Sequence, residues 1–194
     1  MKWRKPQGAA LTTNFGAGFH AARGRVVDTS AYDRYNGRWS RLFVPAVLAA
    51  AEIAPAYRGL DISTGTGVLS PPPDRAPMWG ILADAISRFL PEQRNTLHLS
   101  WSLADPKRLE HLLASAGFRD IRVERQKRED VMESFENYWE PIEAGTGSIP
   151  QAYLTLSEAD RRSVREEVRE RFSQFESNGQ LLMNVEMLIG RGRA

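Results

Sequence analysis

Asp61, Ser63, Gly65 and Gly67 are the residues whose types and spacing could do chemistry. They lie in Arg58-Gly-Leu-Asp-Ile-Ser-Thr-Gly-Thr-Gly67, which predicts a short strand running into a glycine turn. Glycine has no Cβ and tolerates positive φ, so such a turn lets the backbone come close to something bound. An open α/β sheet binds its ligand at a turn of this kind, outside the carboxyl end of a strand. No Lys-Ser/Thr follows Gly67, so this is not a Walker A loop, and Gly-x-Gly-x-x-Gly is not met either. Taken alone, Asp61-x-x-x-Gly65-x-Gly67 is a pattern that ordinary turns also produce. Upstream, Tyr32, Arg38 and Trp39 belong to an aromatic and basic stretch. In that stretch Tyr32, Tyr35 and Trp39 either pack against the core or, as a Tyr–Arg–Trp cluster, close over a ligand's charged end. No Gly-x-Ser-x-Gly elbow is present. His20, His98 and His111 are scattered without ligand spacing, so no metal site is expected.

The elements that must position these residues follow from spacing. Residues 1–28 carry no sustained period and are expected to be mostly coil. A helix is expected from Val44 to Ala54, entered from the aromatic stretch, with Pro45 kinking or restarting it, and the apolar run Leu42–Ala54 reads as a buried helix. After Gly67 a doubly wound fold should start a helix facing the ligand. Pro71-Pro-Pro73 forbids that helix beyond Ser70. A helix is predicted over Met78–Leu90, a short extended segment at Leu97, Leu99 and Trp101, and a helix opened by Asp105-Pro106 and closed at Gly117. A strand is expected from Arg119 to about Lys127 and a helix from Val131 to Ala144. Ser157 and Asp160 form a capping pair ahead of a helix buried along Val164, Val168, Phe172 and Phe175. Asn178-Gly179 turns the chain into a last strand, Leu181–Ile189, followed by a basic tail.

Length and apolar content fit one soluble α/β domain, 31–194, behind a basic leader of residues 1–30. All charges before Asp28 are basic, and without them the chain is slightly acidic. The leader is therefore expected to be disordered. Nucleic-acid contact by such a tail or an organelle transit role are the lesser readings. The mixed Arg and Glu face of the helix after Ser157 reads as a solvated, salt-bridged face, so no nucleic-acid partner is expected. There is no cysteine and no long apolar run, which points to a cytoplasmic protein with no membrane partner.

In two blocks the chain resembles the class I S-adenosylmethionine-dependent methyltransferases, in particular a bacterial small-molecule branch. The first block, 31–70, holds Tyr32-Asp-Arg-Tyr-Asn-Gly-Arg-Trp-Ser40 and a first motif that keeps Asp61, Gly65 and Gly67, with Ser63 where a glycine is usual. The second, 71–194, runs from Pro71-Pro-Pro through Leu103-Ala-Asp-Pro-Lys-Arg-Leu109 and Ala116-Gly-Phe-Arg-Asp-Ile-Arg-Val123 to Val185–Arg193. The resemblance implies a Rossmann-like fold with S-adenosylmethionine as cofactor and a small-molecule methyl acceptor. Asp61, Ser63, Gly65 and Gly67 would face the cofactor, and Tyr32, Arg38 and Trp39 would close over it. Phe135, Tyr138 and Trp139 would line the acceptor pocket or, alternatively, pack in the core. No catalytic residue is singled out.

Between the two blocks the family carries three to four further β–α steps, roughly 80–100 residues at roughly 25–30 per step. Their absence removes the acidic residue that holds the ribose, the adenine turn and the motif beside the methyl. The expected sheet is thus reduced: the first strand plus an antiparallel carboxyl-terminal pair, in mixed sense. Two functions follow. One is an enzyme transferring a methyl group, which is mostly a matter of positioning. The other is a non-catalytic, shortened remnant that binds or dimerises, as a homodimer for instance, through its orphaned sheet edge.

Overall fold

The computed structural model describes residues 33–52, 75–98, 101 and 104–193. Its first helix, α1 (Arg38–Ala51), continues a π-helical turn at Asp33–Gly37 and runs through Pro45 without restarting. Proline forgoes one backbone bond in a helix, and Pro45 is exposed, so water can satisfy the freed carbonyl. A buried helix was expected here, but Val44, Val47 and Leu48 are 45–54% exposed. One face, with Phe43 at its centre, packs on the sheet, and the opposite face has no cover among the described residues.

α2 (Pro77–Phe89) starts on its proline and is buried along nearly its whole length. After a 3-10 turn at Pro91–Gln93 comes α3 (Arg94–His98). This corrects the extended segment expected at Leu97. Three alternating apolar residues are too few to fix a period, and Leu97 and Trp101, both buried, stand four apart as on a helix face. α4 (Pro106–Ser115) is capped by Asp105, whose side chain accepts from the Lys107 N–H at 3.0 Å. Gly117, at φ +91°, lets the chain leave it.

β1 (Arg119–Met132) is longer than expected, and α5 (Phe135–Glu143) starts later. The reason is Ser134, which is extended and accepts from the Asn137 N–H at 3.1 Å. The helix therefore begins after it, and Val131 and Met132 go to the sheet. α6 (Ser148–Leu154) follows the Gly145-Thr-Gly147 loop, and α7 (Glu158–Phe172) begins at the Ser157 cap, as expected. β2 (Glu176–Ser177) turns through Asn178 and Gly179, both at positive φ, into β3 (Gln180–Arg193). The basic tail expected after Ile189 is the end of β3, because Arg191 pairs with Arg122 in the ladder.

Among the described residues the fold is mixed α/β, with seven helices and a three-stranded antiparallel sheet in the order β1-β3-β2. The first strand expected at Leu60–Ile62 lies outside the described residues. Met132, Leu181, Met183 and Val185 line one sheet face and share a core with Phe43, α2, α5 and α7. α4 covers the other face, where a Cβ on Gly190 would come within 2.9 Å of Leu113 Cδ1. No described helix is long and apolar enough to cross a membrane.

Candidate functional site

Arg38, Asp130 and Asn137 meet where α1, β1 and α5 converge. Inward alternation along β1 puts Gln126, Arg128, Asp130 and Met132 on the face toward α1 and the core. Asp130 is thereby drawn to 5% exposure at the edge of an apolar core. Its Oδ1 accepts from Arg38 Nη2 at 3.0 Å. The same Nη2 reaches the Val131 carbonyl at 2.8 Å, and Nη1 reaches Asn137 Oδ1 at 3.2 Å. Among the described residues Asp130 Oδ2 has no hydrogen-bond partner. Burial raises the Asp130 carboxyl above its ordinary range, and the Arg38 charge and hydrogen bond pull the other way.

Two phenols lie beside this clamp. Burial pushes the Tyr35 hydroxyl well above its ordinary range, with the Trp79 indole offsetting part of it. Tyr138 moves the same way through burial and the nearness of Tyr35, and it donates to the Met78 carbonyl at 2.5 Å. Neither phenol is available as a base near neutral pH.

Phe135, Tyr138 and Trp139 come together on α5, all at 4% exposure or less. Phe135 stacks on Trp139 at 5.5 Å between ring centres, and Tyr138 lies 4.6 Å from the Phe172 ring. Arg169 covers the Phe135 ring at 4.8 Å. Trp139 Nε1 donates to Glu143 Oε1 at 2.8 Å, and the Tyr153 hydroxyl donates to the same oxygen at 2.7 Å. The trio is thus part of the core, with Trp139 also forming one wall of an open groove of about 530 Å³. Glu133, Glu136, Glu140 and Glu143 edge that groove, answered in part by Arg165, which bonds Glu136 at 2.5 Å.

Of the residues singled out by sequence, Arg38 bonds Asn137 on α5, the helix that carries Phe135, Tyr138 and Trp139 into the core. Tyr32, Asp61, Ser63, Gly65 and Gly67 lie outside the described residues, as does the side chain of Trp39. Asp130 and Asn137 were not anticipated, whereas Tyr35 packs in the core, one of the two alternatives for its stretch. A strand drawn to Lys127 hid Asp130, and only the full alternation to Met132 turns it inward. Among the described residues no cluster of His, Asp and Glu could hold a metal ion.

No protein-family model matches the chain, and no curated protein and no solved structure matches it either.

Proposed function

We propose that this chain is a class I S-adenosylmethionine-dependent methyltransferase-like domain of reduced Rossmann-like form, which holds S-adenosylmethionine at the glycine turn and passes its methyl group to a small molecule. The observation that carries the reading is the order and sense of the carboxyl-terminal elements. α4 leads into β1, three helices intervene, and β3 returns antiparallel beside β1. That is the arrangement the resemblance implies for the second block. α1 and α4 lie on opposite sheet faces, as helices do in a doubly wound sheet. The junction of Arg38 with Asp130 and Asn137 lies at the carboxyl end of β1, the end at which open α/β sheets bind ligands.

The fit to the cofactor is incomplete. Arg38 is the one expected cofactor contact whose side chain is described, and its Nη1 and Nη2 donors are engaged by Asn137, Asp130 and Val131. It offers no free cation to a ligand in this arrangement. That observation, with the open edge of β1, favours a second reading: a non-catalytic remnant that binds or dimerises. Among the described residues β1 is paired only to β3, and β3 beyond Leu181 only to β1.

Thermal melts separate the two. S-adenosylmethionine at a hundredfold excess over its Kd should stabilise a binding domain by about 2.7 kcal/mol. For a domain of this size that is a rise in Tm of roughly 5–10 °C. A cooperative melt that neither S-adenosylmethionine nor S-adenosylhomocysteine moves refutes the cofactor reading. A dimer by sedimentation equilibrium would then support the second.

A further inference from the structure

At the end of the sheet away from Arg38, a cleft of about 420 Å³ opens between α1 and the β1–β3 pair. Ala46, Ala49 and Ala50 form its helix wall, and small side chains there leave room that larger ones would fill. Gln126 and Ile189 lie on the sheet side. At its mouth the ladder sets Arg122 directly opposite Arg191. Like charges so placed repel each other. Glu52, at the end of α1, answers Arg191 with an ion pair, and the charges of Arg122 and Arg193 also act on that carboxylate. Three guanidinium groups thus share one carboxylate. Arg122 has no ion pair among the described residues. Glu124 lines the cleft two residues along β1 and offsets the excess in part, itself unpaired among the described residues. Arg128, further in, is pinned over the Phe43 ring at 5.7 Å and bonds the Lys127 carbonyl at 2.8 Å.

We propose that this cleft binds a small amphipathic carboxylate, its charge between Arg122 and Arg191 and its apolar body against the alanine wall of α1. A guanidinium fork matches a carboxylate in two parallel hydrogen bonds, and a second anion relieves the Arg122–Arg191 repulsion that Glu52 answers only once. The volume lies within the range of small-molecule sites. An inorganic anion would gain the charge but leave the alanine wall in water. The site stands independently of the glycine turn and of the methyltransferase reading.

The test is alanine-methyl NMR of the full chain titrated with benzoate, with benzamide as the neutral isostere and inorganic phosphate as the anion without a body. Saturable shifts of the Ala46, Ala49 and Ala50 methyls are expected with benzoate, at least about tenfold weaker with either control. Arg122→Gln should weaken benzoate at least about fivefold without lowering the melting temperature, since it also relieves the repulsion with Arg191, and Ala49→Leu should block it by filling the cleft. Three results overturn the proposal: no saturation by about 20 mM benzoate, benzamide equal to benzoate, or phosphate equal to benzoate. The first includes the case in which another part of the chain fills the cleft.

Discussion

Replacing Arg38 with methionine tests the junction of α1, β1 and α5. The substitution keeps much of the side chain's apolar length and removes the charge and both donors. It leaves the Asp130 carboxylate, whose side chain is 6% exposed, without its cation, and frees Asn137 Oδ1 and the Val131 carbonyl. Breaking a buried pair from one side costs about 3–5 kcal/mol. The Arg38 side chain is itself 22% exposed, so water screens the pair and the low end applies, about 3 kcal/mol. That corresponds to a fall in Tm of roughly 6–12 °C. Urea unfolding of wild type and variant measures it.

The pH dependence carries the sign. Asp130 titrates above its unfolded value because it is buried. The folded state therefore takes up the proton first as pH falls. The cost of burying the charge is borne in full above the folded pKa and is relieved between the folded and unfolded values, so this group adds stability as pH falls through that window. Without Arg38 the carboxyl loses the charge that held it down, and its window moves to higher pH. The Arg38→Met loss should thus be largest above the variant's folded pKa and shrink as pH falls through it. Arg38→Lys should recover less than half, because its three donors sit on one nitrogen and cannot span acceptors that Arg38 reaches from both Nη1 and Nη2. A loss under about 0.5 kcal/mol, or one that does not change with pH, would refute the clamp.

Other substitutions probe features of the same framework. Ser157→Ala removes the cap that accepts from the Asp160 N–H and should cost about 1 kcal/mol in urea unfolding. Gly145→Ala meets both a φ of +72° and a Cβ 2.6 Å from Leu154 Cδ1. It should cost more than Gly117→Ala, which has positive φ but open space and should lose about 1 kcal/mol; equal losses would mean that the loop yields freely. Tyr138→Phe deletes the bond to the Met78 carbonyl and leaves that acceptor buried, for a loss of about 1–2 kcal/mol with unchanged circular dichroism.

The helices with a cap and a long stripe were legible in the sequence. Asp105-Pro106 and Ser157 with Asp160 mark their starts by local chemistry, and Val164, Val168 and Phe172 repeat over enough turns to set the buried face. The antiparallel pair was legible in kind but not in length. Arg125, Lys127 and Glu129 look like solvent residues because their face of β1 is exposed, and that face masked the strand continuing to Met132; Arg191, half-buried on the opposite face beside the α1 cleft, masked the continuation of β3 to Arg193. The Leu97 segment failed because a pair four apart and a three-residue alternation use the same residues. Of the site, the α5 aromatics were found by spacing, and their place in the core was one of the two alternatives drawn. Asp130 could not be found, since a charged residue in a charged strand shows its burial only once the register is known.

The proposed binding of S-adenosylmethionine at the glycine turn is read by calorimetric titration of the purified chain with S-adenosylhomocysteine. A saturable one-site isotherm with Kd of about 1–100 μM is expected. No heat at high protein concentration, from a chain that melts cooperatively, would contradict it.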